Sequence, residues 1–361
     1  MRTGPAPMPL LGVLILGEHP PERLRDIVRR CEALGFDVFW YADEKFYRDP
    51  FVGLTVAAHA STRLRLGTGV TEPYARHPAL LAMAIASLDE VSGGRAVLGL
   101  GAGGSGFPAM GVARRAPPVA VTEAVQTIRA LLRGETVTVD GRVVRVRGAR
   151  LFFPARADLP IYVAARARRM LRAAGAVADG VIIAPYASPP GLRFALERVA
   201  EGARAARRPL EALDLAARVD VCVADDPRAA REAVRPAVAL PMWISYPNLD
   251  YLEPLDLPPL PPAVLEVLAE RRYERILEAG RLLPEPYLDH LAVAGTAVEV
   301  AARLRALVET GATQLIVRPV PVPGTALEDL LERLAAEVLP TLRSVARPGA
   351  GAREAAAPGL P

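Results

Sequence analysis

Lysine is almost missing from this chain: of its 44 basic residues only Lys45 is lysine, and the others are arginine. The net charge of +4 therefore comes from arginines scattered along helical segments among 40 acidic residues. With Ala, Pro and Gly also abundant, this pattern reflects biased coding and not a stripe that tracks phosphates, so nucleic-acid binding is set aside. Cysteine is nearly as scarce. Cys31 and Cys222 sit far apart in apolar-periodic segments without metal-ligand spacing. That excludes a disulfide framework and a thiolate metal site, and reads as two reduced core thiols of a cytoplasmic protein. Long apolar runs are absent too. Leu10–Leu16 is too short to cross a membrane and has no small-residue cleavage site, so neither a membrane segment nor a signal peptide is expected. Aromatic residues make up only 5% of the chain, yet its 51% apolar and 23% charged content is that of a soluble globular protein with a sizeable core.

What is present is a regular alternation of short β-rich runs and amphipathic helices. Strands are expected at Leu10–Leu16, Asp37–Tyr41, Leu64–Val70, Ala96–Leu100, Ile161–Ala164, Gly180–Ile183, Leu215–Val223 and Gln314–Val320. Helices between them open on proline at Pro50 and Pro78. Capping-box patterns, Thr296 with Glu299 and Thr325 with Glu328, announce the last two. Asp140-Gly141 within Thr136–Val146 signals a β-hairpin. The proline-dense stretch from Pro241 to Pro286 breaks the rhythm and holds one helical run, Val264–Ala279. Eight strand–helix units fit a (β/α)8 TIM barrel, with a hairpin insertion after the fourth helix and a longer one, about residues 241–290, before strand eight. A doubly wound sheet ranks second, because nothing marks a reversal of strand order. The reading is of one domain, residues 1–343, and a disordered tail, 344–361.

The stretch from Arg63 to Gly106 is the most informative. It reads as strand, tight glycine turn, polar loop, proline-opened helix, strand and glycine-rich loop. Two strands thus each end in a loop where backbone can approach a bound ring or phosphate closely, the arrangement of a cofactor site at the carboxyl ends of parallel strands. Together with GFDVFWYAD (Gly35–Asp43), LGTGVTEPYARHP (Leu66–Pro78), ASLDEVSGGRAVLGLGAG (Ala86–Gly103) and IYVAARARRMLRAAGAVADGVII (Ile161–Ile183), it resembles the luciferase-like superfamily of barrel proteins. Within that superfamily it is similar to the branch that uses the deazaflavin coenzyme F420, nearest to the methylenetetrahydromethanopterin reductases. The resemblance runs in order over roughly Leu10–Leu339.

It implies an F420-dependent oxidoreductase that transfers a hydride between the cofactor and a small electrophilic substrate, such as a methylene-tetrahydropterin or methylene-tetrahydrofolate. The alternatives are an FMN-dependent monooxygenase and a degenerate, non-catalytic barrel. Position by position, Gly69–Val70 matches the site of a non-proline cis peptide behind the deazaflavin. Asp43, Thr71, Tyr74, Arg76 and His77 match ring-contacting segments, with His77 before Pro78 equally readable as a helix cap. Gly101, Ala102 and Gly103 match the loop after strand four. Ala165, Arg166, Ala167 and Arg168 match the phosphate cradle, with alanine where the family has glycine and arginines at a helix N-terminus that already favours an anion.

The sequence also departs from those reductases. Leu14 and Gly104 align with their two acidic positions, and Glu72 stands where asparagine is usual. Glu18, Glu44 and Glu72, all at expected carboxyl ends of strands, are therefore the candidate proton donors. A homodimer or higher homo-oligomer, packed through the helices after strands two and three, is a further implication of the resemblance.

Overall fold

In an (β/α)8 chain every strand must bury both faces, one against helices and one inside the sheet. The computed structural model, which describes residues 9–343, does this with eight parallel strands. They are β1 (Leu10–Ile15), β2 (Val38–Tyr41), β3 (Arg65–Thr68), β4 (Ala96–Leu100), β5 (Ile161–Ala165), β6 (Gly180–Ile183), β7 (Asp214–Val223) and β8 (Gln314–Pro319). Each pairs with the next, and β8 pairs with both β7 and β1, with Leu10 opposite Gln314. The sheet therefore closes on itself, as a barrel and not as a doubly wound sheet. The expected tail, 344–361, lies outside the described residues.

Alternation along the strands divides the core in two. Outward side chains such as Val13, Phe39, Leu66 and Leu98 join the helices in one large cluster. Inward ones, Leu14, Val38, Trp40, Val97, Tyr162, Ile182, Ala216 and Ile316, fill the barrel. Trp40 and Tyr162 meet edge to face, with centroids 5.5 Å apart. Glycines on neighbouring strands make room for this pair. A Cβ at Gly67 would lie 2.4 Å from the Trp40 ring, and one at Gly180 2.3 Å from Tyr162. Both cysteines are buried, and burial pushes the thiols up to about 12 for Cys31 and about 11 for Cys222, which keeps them unreactive.

The hairpin expected near Asp140-Gly141 is present as Val137–Asp140 and Arg145–Ala149. A short strand not foreseen, Val293–Gly295, extends the edge of β7. The Thr296–Glu299 capping box forms as expected. The second one does not: the Thr325 hydroxyl donates to the Val322 carbonyl, and Glu328 is drawn instead to Arg23, 3.1 Å away. The break expected at Pro241 is also displaced. The helix after β7 runs Pro227–Ser245, through Pro236 and Pro241, because Ala237, Val238, Met242 and Trp243 remain buried on one face and outweigh the lost hydrogen bonds. The single helical run Val264–Ala279 splits into Pro262–Ala269 and Ile276–Leu282, parted where Arg271 takes a positive φ of 56°. Among the described residues no helix is long and apolar enough to cross a membrane.

Candidate active site

The carboxyl ends of the strands form a mouth whose floor is apolar. Leu16, Val70 and Ala164 are half-buried and rest on the Leu14–Trp40–Tyr162 layer. Val70 follows a cis peptide bond from Gly69. The segment around it is zipped to the end of β4: Thr71 N–H donates to the Gly99 carbonyl (2.9 Å), and Gly101 N–H donates to the Thr71 carbonyl (2.7 Å). The Thr68 hydroxyl donates to the Gly99 carbonyl at 2.7 Å. Glycine at 101 is required by this closeness, since a Cβ there would stand 2.7 Å from Val70. Leu14, at the first departure from the reductases, lies beneath Gly69, and Gly104, at the second, lies under Ile244.

One wall is an ion network built on Asp43, whose side chain is only 3% exposed. Its carboxylate accepts from Thr71 Oγ1 (2.7 Å) and Arg76 Nε (2.9 Å), and Lys45 Nζ lies 3.2 Å away. Lys45 also reaches Glu72 Oε1 at 3.0 Å. The other Glu72 oxygen accepts from the Tyr74 and Ala75 amides at 2.7 and 3.0 Å. Arg76 extends the network to Asp49 at 2.7 Å. Every charge here has a partner.

The structure places the three candidate proton donors in different surroundings. Glu72 is buried and its oxygens are already engaged. Glu18 is exposed, and only its carbonyl is held, by Arg48 at 2.7 Å. Glu44 is the exception. Burial raises its pKa, which the Ser105 hydroxyl, Lys45 and Arg318 only partly offset. Tyr74 packs against Phe107 and donates to the Arg115 carbonyl at 2.9 Å. Burial lifts its phenol to about 12, so it stays neutral. His77 caps the helix Pro78–Ser92, Nδ1 accepting from the Ala79 amide at 3.2 Å, and its Nε2 meets the Arg145 carbonyl of the hairpin. In the loop after β4, Ala102 is half-buried and Gly103, with φ of 60°, passes close to Phe107.

The opposite wall is cationic. Arg166 continues the inward alternation of β5 one step past the strand. Its guanidinium donates to the Pro241 carbonyl (3.3 Å) and Ser245 Oγ (3.4 Å), with its centre 5.7 Å from the Tyr251 ring. Arg168 turns instead over Phe194 of the next helix. Ala165 is buried, and Ala167 is the N-cap of the helix Arg168–Val177, which has no side-chain cap. Beyond Arg166, β7 and β8 contribute Arg218, Asp220 and Arg318 to the same rim. The long insertion lies over it, with Ile244 against Gly104 and the Tyr186 hydroxyl 2.8 Å from the Tyr251 carbonyl.

Sequence reasoning missed Lys45, Arg218, Asp220 and Arg318. A single lysine carries no periodic pattern. The other three were detectable as charges on the inward parity of two largely apolar strands. Residues 6–314 match the family model described as luciferase-like monooxygenase. The chain belongs to that family. It is 34% identical over 307 residues to a 5,10-methylenetetrahydromethanopterin reductase of Methanolobus tindarius, covering 84% of this chain and 92% of the relative. A second relative, an F420-dependent glucose-6-phosphate dehydrogenase of Beutenbergia cavernae, is 32% identical, with 82% of each chain covered. Among solved structures, the coenzyme F420-dependent tetrahydromethanopterin reductase of Methanopyrus kandleri superposes with a TM-score of 0.80 at 28% identity, over 93% of this chain and 100% of that one.

Proposed function

We propose that this protein is an F420-dependent oxidoreductase that moves a hydride between the deazaflavin and a small electrophilic substrate. The observation that carries the reading is the mouth itself: a narrow apolar floor beside the Gly69–Val70 step, ringed by charged groups. A flat, hydrophobic ring suits the floor, and an anionic tail suits the cationic wall. The deazaflavin, when bound, supplies or accepts the hydride at its C5 carbon.

The chain's own residues do the rest. Val70 and Gly101 set the depth of the floor, and Asp43, through Thr71 and Arg76, holds the loop that borders it. The start of the helix Arg168–Val177, with Ala165 to Arg168, offers free backbone N–H groups to the cofactor phosphate. Glu44 holds the proton that the substrate takes up as hydride arrives, or accepts it in the reverse direction. Trp243, Ile244 and Tyr251 of the insertion keep water from the mouth.

A methylene-tetrahydropterin and a methylene-tetrahydrofolate are the first substrates to try. Val52, Leu80 and Met83, exposed on the helices after β2 and β3, provide the face on which a second copy packs, to be checked by the molar mass from sedimentation equilibrium. We place the protein in the cytoplasm, consistent with its buried, reduced thiols. Side-by-side titration with F420 and FMN tests the reading. F420 should bind at micromolar concentration, and reduced F420 should be reoxidised when substrate is added without oxygen. Preference for FMN, or no binding of F420, would overturn it.

A further inference from the structure

The Arg218–Asp220–Arg318 group sits on the β7–β8 pairing, where Arg318 lies opposite Asp220, and its charges do not balance. Asp220, 2% exposed, is shared by two guanidiniums: Arg218 Nη2 lies 2.8 Å from Oδ1, and Arg318 Nε donates to the same oxygen. Both arginine side chains are largely buried, at 17% and 14% exposure. Arg166 stands close enough to Arg218 for the two charges to repel, and Arg114 close enough to repel Arg166. Arg166 itself is held by a carbonyl, a hydroxyl and an aromatic ring, and among the described residues by no carboxylate. The rim at β5, β7 and β8 thus carries more cations than anions. Such an excess in a sheltered site is costly unless an anion completes it.

The position of this excess suggests its use. Arg318 bonds Asp220 and is close enough to Glu44 to favour its carboxylate, so it links the two. The start of the helix Arg168–Val177 is a separate place for the cofactor phosphate. We infer that Arg218 and Arg318, oriented by Asp220, bind an oxyanion group of the substrate, a carboxylate or a phosphate, and aim its reacting carbon towards Glu44. The inference rests on the proposed hydride-transfer reading for the reaction, though not for the anion site itself. Bidentate guanidinium contacts would give the substrate a fixed orientation.

The test uses the full chain with and without saturating F420, melted in sodium phosphate and in sodium succinate against chloride of equal ionic strength. One of the two oxyanions should raise the melting temperature saturably, equally well with F420 bound, and which one does so names the substrate group. Arg318→Met, and separately Arg218→Lys in case the first variant folds poorly, should weaken that protection by about tenfold or more. No anion-specific protection, or protection unchanged in both variants, would show a purely structural triad and overturn the inference. Protection that F420 competes away would assign the arginines to the cofactor's own phosphate and overturn it equally. Failure of F420 to bind while the anion still protects would sink the redox reading and leave the anion site standing.

Discussion

The two walls of the barrel mouth hold similar numbers of charged side chains and use them in opposite ways. On the β2–β3 side, Asp43, Lys45, Glu72, Arg76 and Asp49 satisfy one another. On the β5–β7–β8 side, Asp220 is the carboxylate that both Arg218 and Arg318 bond, with Arg166 nearby. A closed network spends its charge on shape: it fixes the loop that frames the floor. A cluster whose arginines share one carboxylate retains a field that a ligand can complete. Glu44 lies between the two, near Lys45 on one side and Arg318 on the other.

The largest expected effect is at that junction. Glu44→Gln should lower turnover roughly 10²–10⁴-fold with little change in F420 affinity, measured by single-turnover reoxidation of the reduced cofactor. A wild-type rate would move the proton donor elsewhere. Next come the two carboxylates. Asp43→Ala removes the buried carboxylate that Thr71, Lys45 and Arg76 share, leaving Lys45 to Glu72 and Arg76 to Asp49, and should cost about 3–5 kcal/mol in denaturant unfolding. Asp220→Ala should cost a similar amount, about 3–5 kcal/mol, but with part of the loss recovered in phosphate or succinate. Recovery of both variants, or of neither, would erase the distinction between the walls.

A smaller effect concerns pH. Burial raises the Glu44 pKa in the fold above its unfolded value. Between those two values the folded protein holds more protons than the unfolded chain, so this group makes stability fall as pH rises through the window. The slope should disappear in Glu44→Gln when unfolding free energies are compared across that range, and turnover in the protonating direction should fall above the raised pKa. Smallest is His77→Ala, expected to cost about 0.5–1 kcal/mol through the lost cap and to leave F420 binding alone. Weakened F420 binding would put His77 back among the ring contacts.

Four members of the paired wall were singled out in the chain, Asp43, Thr71 and Arg76 as cofactor contacts and Glu72 as a proton donor, because they belong to short motifs at strand ends; their ion pairing with Lys45 and Asp49 was not visible there. The barrel was visible. Period-two strands, proline-opened helices and the Thr296–Glu299 box are local signals set by backbone geometry within a few residues. The errors came where distant packing outweighed local preference. The helix Pro227–Ser245 runs through two prolines because its buried face holds it, and Glu328 abandoned its cap for Arg23, 305 residues away.

The sequence by itself determined the eight barrel strands, the family and the glycine-bordered floor, since each depends on neighbours in the chain. Only the tertiary structure decided how the charges are shared. Asp220 and Arg318 are 98 residues apart, and no local pattern joins them. They meet because the closing of β8 against both β7 and β1 turns every second side chain of each strand into one enclosed space, where an unbalanced charge cannot be left to water.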